Sequence, residues 1–78
     1  MVQVHPNPFS DEFTIAISGI PYGELVEMKL FELNGKELMH TSLLNEKKIT
    51  TGKNYAAGVY ILQLNFNNNI QNLKLIKQ

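Results

Sequence analysis

The sequence predicts an all-β fold, specifically a seven-stranded antiparallel Ig-like β-sandwich. Apolar residues alternate with other residues in most segments, which is the period of a strand that places one face on a core. Glycine, proline and asparagine recur about every 10–15 residues, a spacing typical of short strands in a sandwich. The pair Asn34-Gly35 lies between two such segments, and Asn-Gly is the strongest short-range signal for a β-hairpin.

Seven strands are predicted, at residues 2–4, 12–18, 25–33, 36–44, 47–50, 58–66 and 70–77. Four of them carry apolar residues on one parity: Phe13, Ile15 and Ile17; Val26, Met28 and Leu30; Tyr60, Leu62 and Leu64; Leu73 and Leu75. Each such strand is expected to place one face on the core and the other toward water or a second layer. Two packed antiparallel sheets are the natural arrangement for strands of this number and pattern.

The connections between these strands are predicted from their turn residues. Asn34-Gly35 is predicted to form a type I′ turn between the third and fourth strands, because both residue types tolerate positive φ angles. The asparagine run at 67–69 predicts a second, looser hairpin. Residues 24–33 and 36–44 also contain the Glu, Leu, Met and Lys typical of helices. The turn signal between them and their alternating apolar positions favour strands.

Length, charge and composition narrow the function classes. The 78 residues suit one domain, 1–78, with Met1 interpreted as an added start residue. Seven lysines balance seven acidic residues and arginine is absent, which argues against a nucleic-acid-binding protein. No cysteine is available for a disulfide. No apolar run approaches the ~20 residues of a membrane span, and no signal peptide is visible, so an exported protein would need an upstream segment for that step.

The residues that could carry chemistry are few. Ser10, His40 and Asp11 could be written as a hydrolase triad, but Ser10 and Asp11 are neighbours beside a proline-rich turn, where Asp11 is expected to form a turn hydrogen bond. His5 and His40 lie far apart in the sequence and do not have the spacing of metal ligands. A calcium site needs several oxygen ligands, and the chain has only one aspartate. Both histidines are interpreted as surface residues. We therefore predict no catalytic site, no cofactor, no metal and no small-molecule substrate.

Three short segments stand out, each with an ordinary structural interpretation. Pro6-Asn7-Pro8-Phe9 is a rigid turn in which Phe9 would fill one end of the core. Gly58-Val59-Tyr60 would place a glycine at a tight corner, with the Tyr60 hydroxyl anchoring a loop. Lys74-Leu75-Ile76-Lys77 would be an edge strand whose lysines deter edge-to-edge pairing. Lys74 and Lys77 lie on opposite parities, and both are expected to reach water.

The order and spacing of these segments carry a family resemblance. Val4 to Phe9, followed by Phe13-Thr14-Ile15, resembles the opening of the type A C-terminal sorting domain of the type IX secretion system, which begins with Tyr-Pro-Asn-Pro and a strand. Met28 to Lys36, which ends in Asn34-Gly35-Lys36, is similar to its strand-turn-strand. Ala57 to Leu62 looks like its Gly-x-Tyr strand, and Leu73 to Lys77 looks like its lysine-bearing final strand.

The resemblance covers nearly the whole chain, with two local departures. His5 stands where the family usually has an aromatic residue, and residues 53–56 replace a commoner Leu-Pro approach to the glycine. The motif residues that the resemblance assigns to recognition are Pro6, Asn7, Pro8, Phe9, Gly35, Lys36, Gly58, Tyr60, Lys74 and Lys77.

The resemblance implies a non-catalytic sorting signal fused to the C-terminus of a cargo protein. It implies export through the periplasm and the type IX translocon of a Bacteroidetes-type bacterium to the cell surface or the medium. A sortase would then remove the domain and attach the cargo to lipopolysaccharide. The residues alone leave a second interpretation open, an accessory Ig-like or fibronectin-like module that binds carbohydrate or protein beside an enzyme domain.

Overall fold

The computed structural model describes residues 2–44 and 48–78, and all seven predicted strands are present in it. The strands are β1 (Val2–His5), β2 (Phe13–Ile17), β3 (Leu25–Glu32), β4 (Glu37–Leu44), β5 (Lys48–Thr51), β6 (Gly58–Phe66) and β7 (Asn69–Lys77). The first residue of the predicted fifth strand, Lys47, lies outside the described residues. No helix in the described residues has the length and hydropathy of a membrane span.

The strands form two antiparallel sheets, as predicted. One sheet has the order β1-β2-β5 and the other the order β4-β3-β6-β7, and every strand pairing is antiparallel. β7 is therefore an edge strand of the four-stranded sheet, as its lysines suggested. The predicted all-β class is confirmed, and the narrower Ig-like assignment stays a prediction.

One hydrophobic core joins the two sheets. Its buried residues are Phe9, Phe13, Ile15, Ile17, Val26, Met28, Leu30, Leu43, Tyr60, Leu62, Leu64 and Leu75. In β2 and β3 the buried side chains fall on every second residue, which is the spacing at which a pleated strand returns to the same face. The period-two pattern of the sequence therefore predicted the inward positions of these strands.

The two hairpins differ from their predicted turn types. Between β3 and β4 the Gly35 amide donates to the Glu32 carbonyl at 2.9 Å, and only Gly35 has a positive φ, +92°. This is a three-residue loop in which a single residue needs the left-handed region. Asn34 contributes through its side chain, whose Oδ1 accepts from the Lys36 amide at 3.0 Å. The prediction of a type I′ turn was wrong here, although the hairpin itself is confirmed.

The type I′ geometry occurs instead at the other hairpin. Phe66 pairs with Asn69, which leaves two loop residues between them. Those residues, Asn67 and Asn68, have φ angles of +51° and +64°, and two positive φ angles define this turn type. Asparagine tolerates the left-handed region better than most residues. The predicted looser loop is therefore a tight two-residue turn.

The strand directions define two ends of the molecule, named here the Val2 end and the Lys77 end. Val2 lines an apolar cleft of about 450 Å³ together with Leu64 and Ile70, near the beginning of β7. Lys77 closes β7 opposite Gly58, where β6 begins. β7 has nine residues, and the eight steps from its first residue to its last, at about 3.4 Å each, separate the two ends by roughly 27 Å. The chain therefore enters at the Val2 end and its last strand finishes at the Lys77 end.

Candidate recognition site

Segments that are far apart in the sequence meet at the Lys77 end. Phe9 forms an isolated parallel bridge with Lys77, and Lys77 pairs with Gly58 across β6 and β7. Tyr60 pairs with Glu32 at the end of β3, and Glu32 also closes the turn that contains Gly35. The four motifs on which the family resemblance rests therefore occupy one end of the structure.

The Asn7 side chain completes the exposed edge of β7. Its Nδ2 donates to the Lys74 carbonyl at 2.9 Å, and its Oδ1 accepts from the Ile76 amide at 3.0 Å. The carboxamide therefore bonds β7 in the way that a backbone peptide group of a neighbouring strand would. Pro6 and Pro8, which flank Asn7 and are both preceded by cis peptide bonds, have no backbone N–H to offer in its place.

Phe9 continues this edge and also fills the core. Its amide donates to the Ile76 carbonyl, and its carbonyl accepts from the Gln78 amide, both at 2.9 Å. The ring is fully buried and meets the Phe13 ring edge-on, with 4.7 Å between ring centroids. The predicted role of Phe9 as a filler at one end of the core is confirmed. Its hydrogen bonds to β7 were not predicted, because two bonds to an edge strand produce no periodic sequence pattern.

The two lysines of the final segment have different surroundings. The Lys77 ammonium donates to the Ser10 carbonyl and lies 5.9 Å from the centroid of the Phe9 ring. Lys77 shares the inward parity of Leu75, so its stem crosses the end of the core and leaves it half-buried. The Lys74 side chain is exposed on the opposite face of the sheet. Lys74 therefore reaches water as expected, whereas Lys77 is only partly exposed and its ammonium is also held by the loop that follows Phe9.

Tyr60 fixes the loop that precedes β6. Its hydroxyl donates to the Ala56 carbonyl, and its ring lies 5.3 Å from that of Tyr55, measured between centroids. Burial raises the pKa of the Tyr60 hydroxyl, and the nearby Glu32 and Tyr55 raise it further. The predicted anchoring of a loop by this hydroxyl is confirmed.

Gly58 lies in an open cleft beside the β3–β4 turn. The cleft has a volume of about 320 Å³ and is lined by residues 32–34 and 56–60. Gly58 has a φ of +150°, and a Cβ built on it would meet no atom within 4 Å. Lys36, on the far side of the turn, is exposed. The Gly-x-Tyr and Gly-Lys motifs thus shape a shallow groove at the Lys77 end.

Gly52 is a buried residue that packs against Phe13 and Phe9 at the Lys77 end. It was not identified from the sequence. It is buried, with a φ of +106°, and a Cβ at this position would lie 2.7 Å from Cε1 of Phe13 and 3.1 Å from Cε2 of Phe9. In the sequence, Gly52 lies only in the segment between the predicted strands 47–50 and 58–66. Nothing in a local pattern indicates that two aromatic rings would pack against this glycine.

The two histidines are surface residues, as interpreted from the sequence. His5 is exposed, and His40 lies 3.7 Å from the Glu27 carboxylate with about half of each side chain exposed. Within residues 2–44 and 48–78, no three acidic, histidine or cysteine side chains are placed to hold a metal ion. The absence of catalytic and metal sites stays a prediction.

Comparison with known protein families gives a match over nearly the whole chain. A family model described as "Secretion system C-terminal sorting domain" matches residues 3–78. The match includes all ten motif residues and confirms the resemblance on which they were chosen. No curated protein matches the chain.

Proposed function

The chain belongs to the secretion system C-terminal sorting domains, which serve type IX secretion as sorting signals, and we propose that its Lys77 end is the part that the secretion machinery recognises. The family is a non-catalytic one whose signal directs export across the outer membrane to the cell surface or the medium.

The observation that carries the proposal is the convergence of all four motifs at the end opposite Val2. A cargo protein fused before Val2 would lie at the Val2 end, about 27 Å from the last residue of β7. The Lys77 end would then remain accessible while the cargo is still attached. A signal at the end distant from its cargo can serve cargoes of any shape, which is what a general sorting domain requires.

Rigidity of the motif residues supports recognition of the folded domain. Asn7 and Phe9 are tied to β7 by main-chain and carboxamide hydrogen bonds, and Phe9 is fully buried. A receptor that docks on such a surface orders few new groups, so little conformational entropy opposes binding. Since the site combines residues 6–10 with the β3–β4 turn, the start of β6 and β7, an unfolded chain would not display it.

We infer the remaining steps from the family. The cargo travels through the periplasm with this domain attached and passes the type IX translocon. A surface sortase then removes the domain and attaches the cargo to lipopolysaccharide. The partners are thus an upstream cargo, the translocon and a sortase, with no nucleic acid and no small-molecule substrate.

The Ig-like assignment belongs to the same proposal. Three connections, β2 to β3, β4 to β5 and β5 to β6, pass from one sheet to the other, as the Greek-key connections of Ig-like sandwiches do. An accessory binding module could share this scaffold. The family match favours the sorting signal.

The test is export of a reporter protein fused before Val2 in a bacterium with a type IX system. We expect the reporter outside the cell with the domain present, and in the periplasm without it or with the translocon inactivated. A reporter that stays in the periplasm with the intact, folded domain would refute the proposed function.

A further inference from the structure

The outer face of the four-stranded sheet carries a continuous group of apolar side chains, here called the apolar stripe: Phe31, Val59, Ile61 and Ile76. Phe31 pairs with Ile61, and Val59 pairs with Ile76, so each pair has neighbouring side chains on one face. None of the four belongs to the core or packs against it. The stripe therefore faces away from the core, on the solvent side of the sheet.

The other sheet has no such feature among its described strands. Its outward positions in β1, β2 and β5 carry polar or small residues: Gln3, His5, Thr14, Ala16, Lys48 and Thr50. Thr14 and Thr50 even bond each other through their hydroxyls, which are 2.9 Å apart. Single exposed apolar residues need no explanation, but a contiguous group on only one of two faces indicates an interaction surface.

The stripe is continuous with the candidate recognition site. Val59 lies both in the stripe and in the wall of the cleft that Gly58 opens. Leu33, which is 68% exposed, lines the same cleft. An apolar surface therefore runs from the middle of β3 and β6 to the groove at the Lys77 end.

Charges around the stripe indicate the chemistry of its partner. Lys74 pairs with Ile61 and lies on the stripe side of the sheet, and Lys29 occupies the next outward position before Phe31. Neither ammonium forms an ion pair within the described residues. Glu37, opposite Phe31 on β4, is the acidic residue on this row. Glu27 lies on the same outward face two residues before Lys29, so Lys74, which pairs with the apolar Ile61, is the lysine that favours an acidic group on the docking surface.

We propose that the apolar stripe is the face on which the type IX machinery docks, through a protein surface that presents an apolar ridge and a carboxylate for Lys74. This rests on the proposed sorting function and names the face that it uses. Apolar contact along β3 and β6 supplies binding energy, and the Lys74 ion pair fixes the position of the partner along the stripe. The role of Lys74 thus differs from that of Lys77, whose ammonium donates to the Ser10 carbonyl within the domain.

The experiment compares two matched pairs of variants in the reporter fusion. Phe31→Thr with Ile61→Thr removes the centre of the stripe but keeps strand-forming residues. Its control is Leu25→Thr with Leu44→Thr, a cross-strand apolar pair at the far end of the same outer face, 49% and 52% exposed. The charge variant is Lys74→Glu, and its control is Lys48→Glu on the other sheet.

We expect the stripe variant and Lys74→Glu each to lower reporter export at least tenfold, while both controls export as the unaltered domain does. Urea unfolding of each purified domain checks the fold. Should the stripe variant fail to fold, Lys74→Glu decides alone, because a substitution at an exposed site leaves the fold intact.

Three results would overturn the proposal that the apolar stripe is the docking face. The first is normal reporter export by a folded stripe variant together with normal export by the Lys74→Glu variant. The second is an equal loss of export in the controls. The third is a concentration-dependent dimer of the purified domain that the stripe substitutions abolish, because the stripe would then bind a second copy. Failure of the unaltered domain to export the reporter would instead refute the sorting function itself.

Discussion

Replacing Gly52 by alanine should destabilise the domain through two separate effects. A non-glycine residue at a φ of +106° costs about 1–3 kcal/mol in backbone strain. The new Cβ would also lie 2.7 and 2.8 Å from two atoms of the Phe13 ring, and overpacking of this kind costs about 1–3 kcal/mol. Together the two effects, about 2–6 kcal/mol, would remove roughly half of the total stability of about 4–12 kcal/mol expected for a chain of this length.

Gly35→Ala is the matched control for this prediction. Gly35 has a similar φ, +92°, but a Cβ there meets nothing within 4 Å, so only the backbone cost should appear. Urea unfolding should place the midpoint of Gly52→Ala well below that of Gly35→Ala. Equal midpoints for the two variants would show that the contact with Phe13 and Phe9 contributes nothing, and the packing argument would be wrong.

Three further predictions concern the contacts at the Lys77 end. Asn7→Ala removes two hydrogen bonds to β7 and should lower the free energy of unfolding by about 1–3 kcal/mol; an unchanged urea midpoint would contradict the edge-capping role. Lys77→Ala should lower the free energy of unfolding by about 1 kcal/mol, because the Lys77 bond to Ser10 is charge-assisted and half-exposed. Lys74→Ala should change it by no more than about 0.5 kcal/mol. A larger loss for Lys74→Ala than for Lys77→Ala would refute the assignment of the internal contact to Lys77. Because the folded-state pKa of Tyr60 is raised above its usual value of 10.0, its contribution to stability is complete below pH about 10 and falls as the pH rises through the folded-state pKa. A Tyr60→Phe variant should lack this alkaline loss, and identical pH profiles for the two proteins would exclude it.

Strand positions could be predicted from the sequence, because the burial of a strand side chain depends on its parity. The spacing of Phe13, Ile15 and Ile17 alone predicts that they share the inward face of a strand, and all three are buried. The same local logic located both hairpins. It assigned the type I′ turn to the wrong one, because the turn type depends on how many residues the strand register leaves in the loop. That number is two at Asn67-Asn68 and three at residues 33–35.

The motif residues of the candidate site could also be chosen from the sequence, since each family motif is a short local pattern. How those motifs combine depends on the packing of distant segments. Asn7 bonds residues that are 67 and 69 positions away, and Gly52 packs against two rings that no local pattern connects to it. The sequence places Lys74 and Lys77 on opposite faces of the strand, but only the folded chain brings the Lys77 ammonium to the Ser10 carbonyl. Contacts between distant segments depend on how the sheets pack, and that packing is a property of the whole chain.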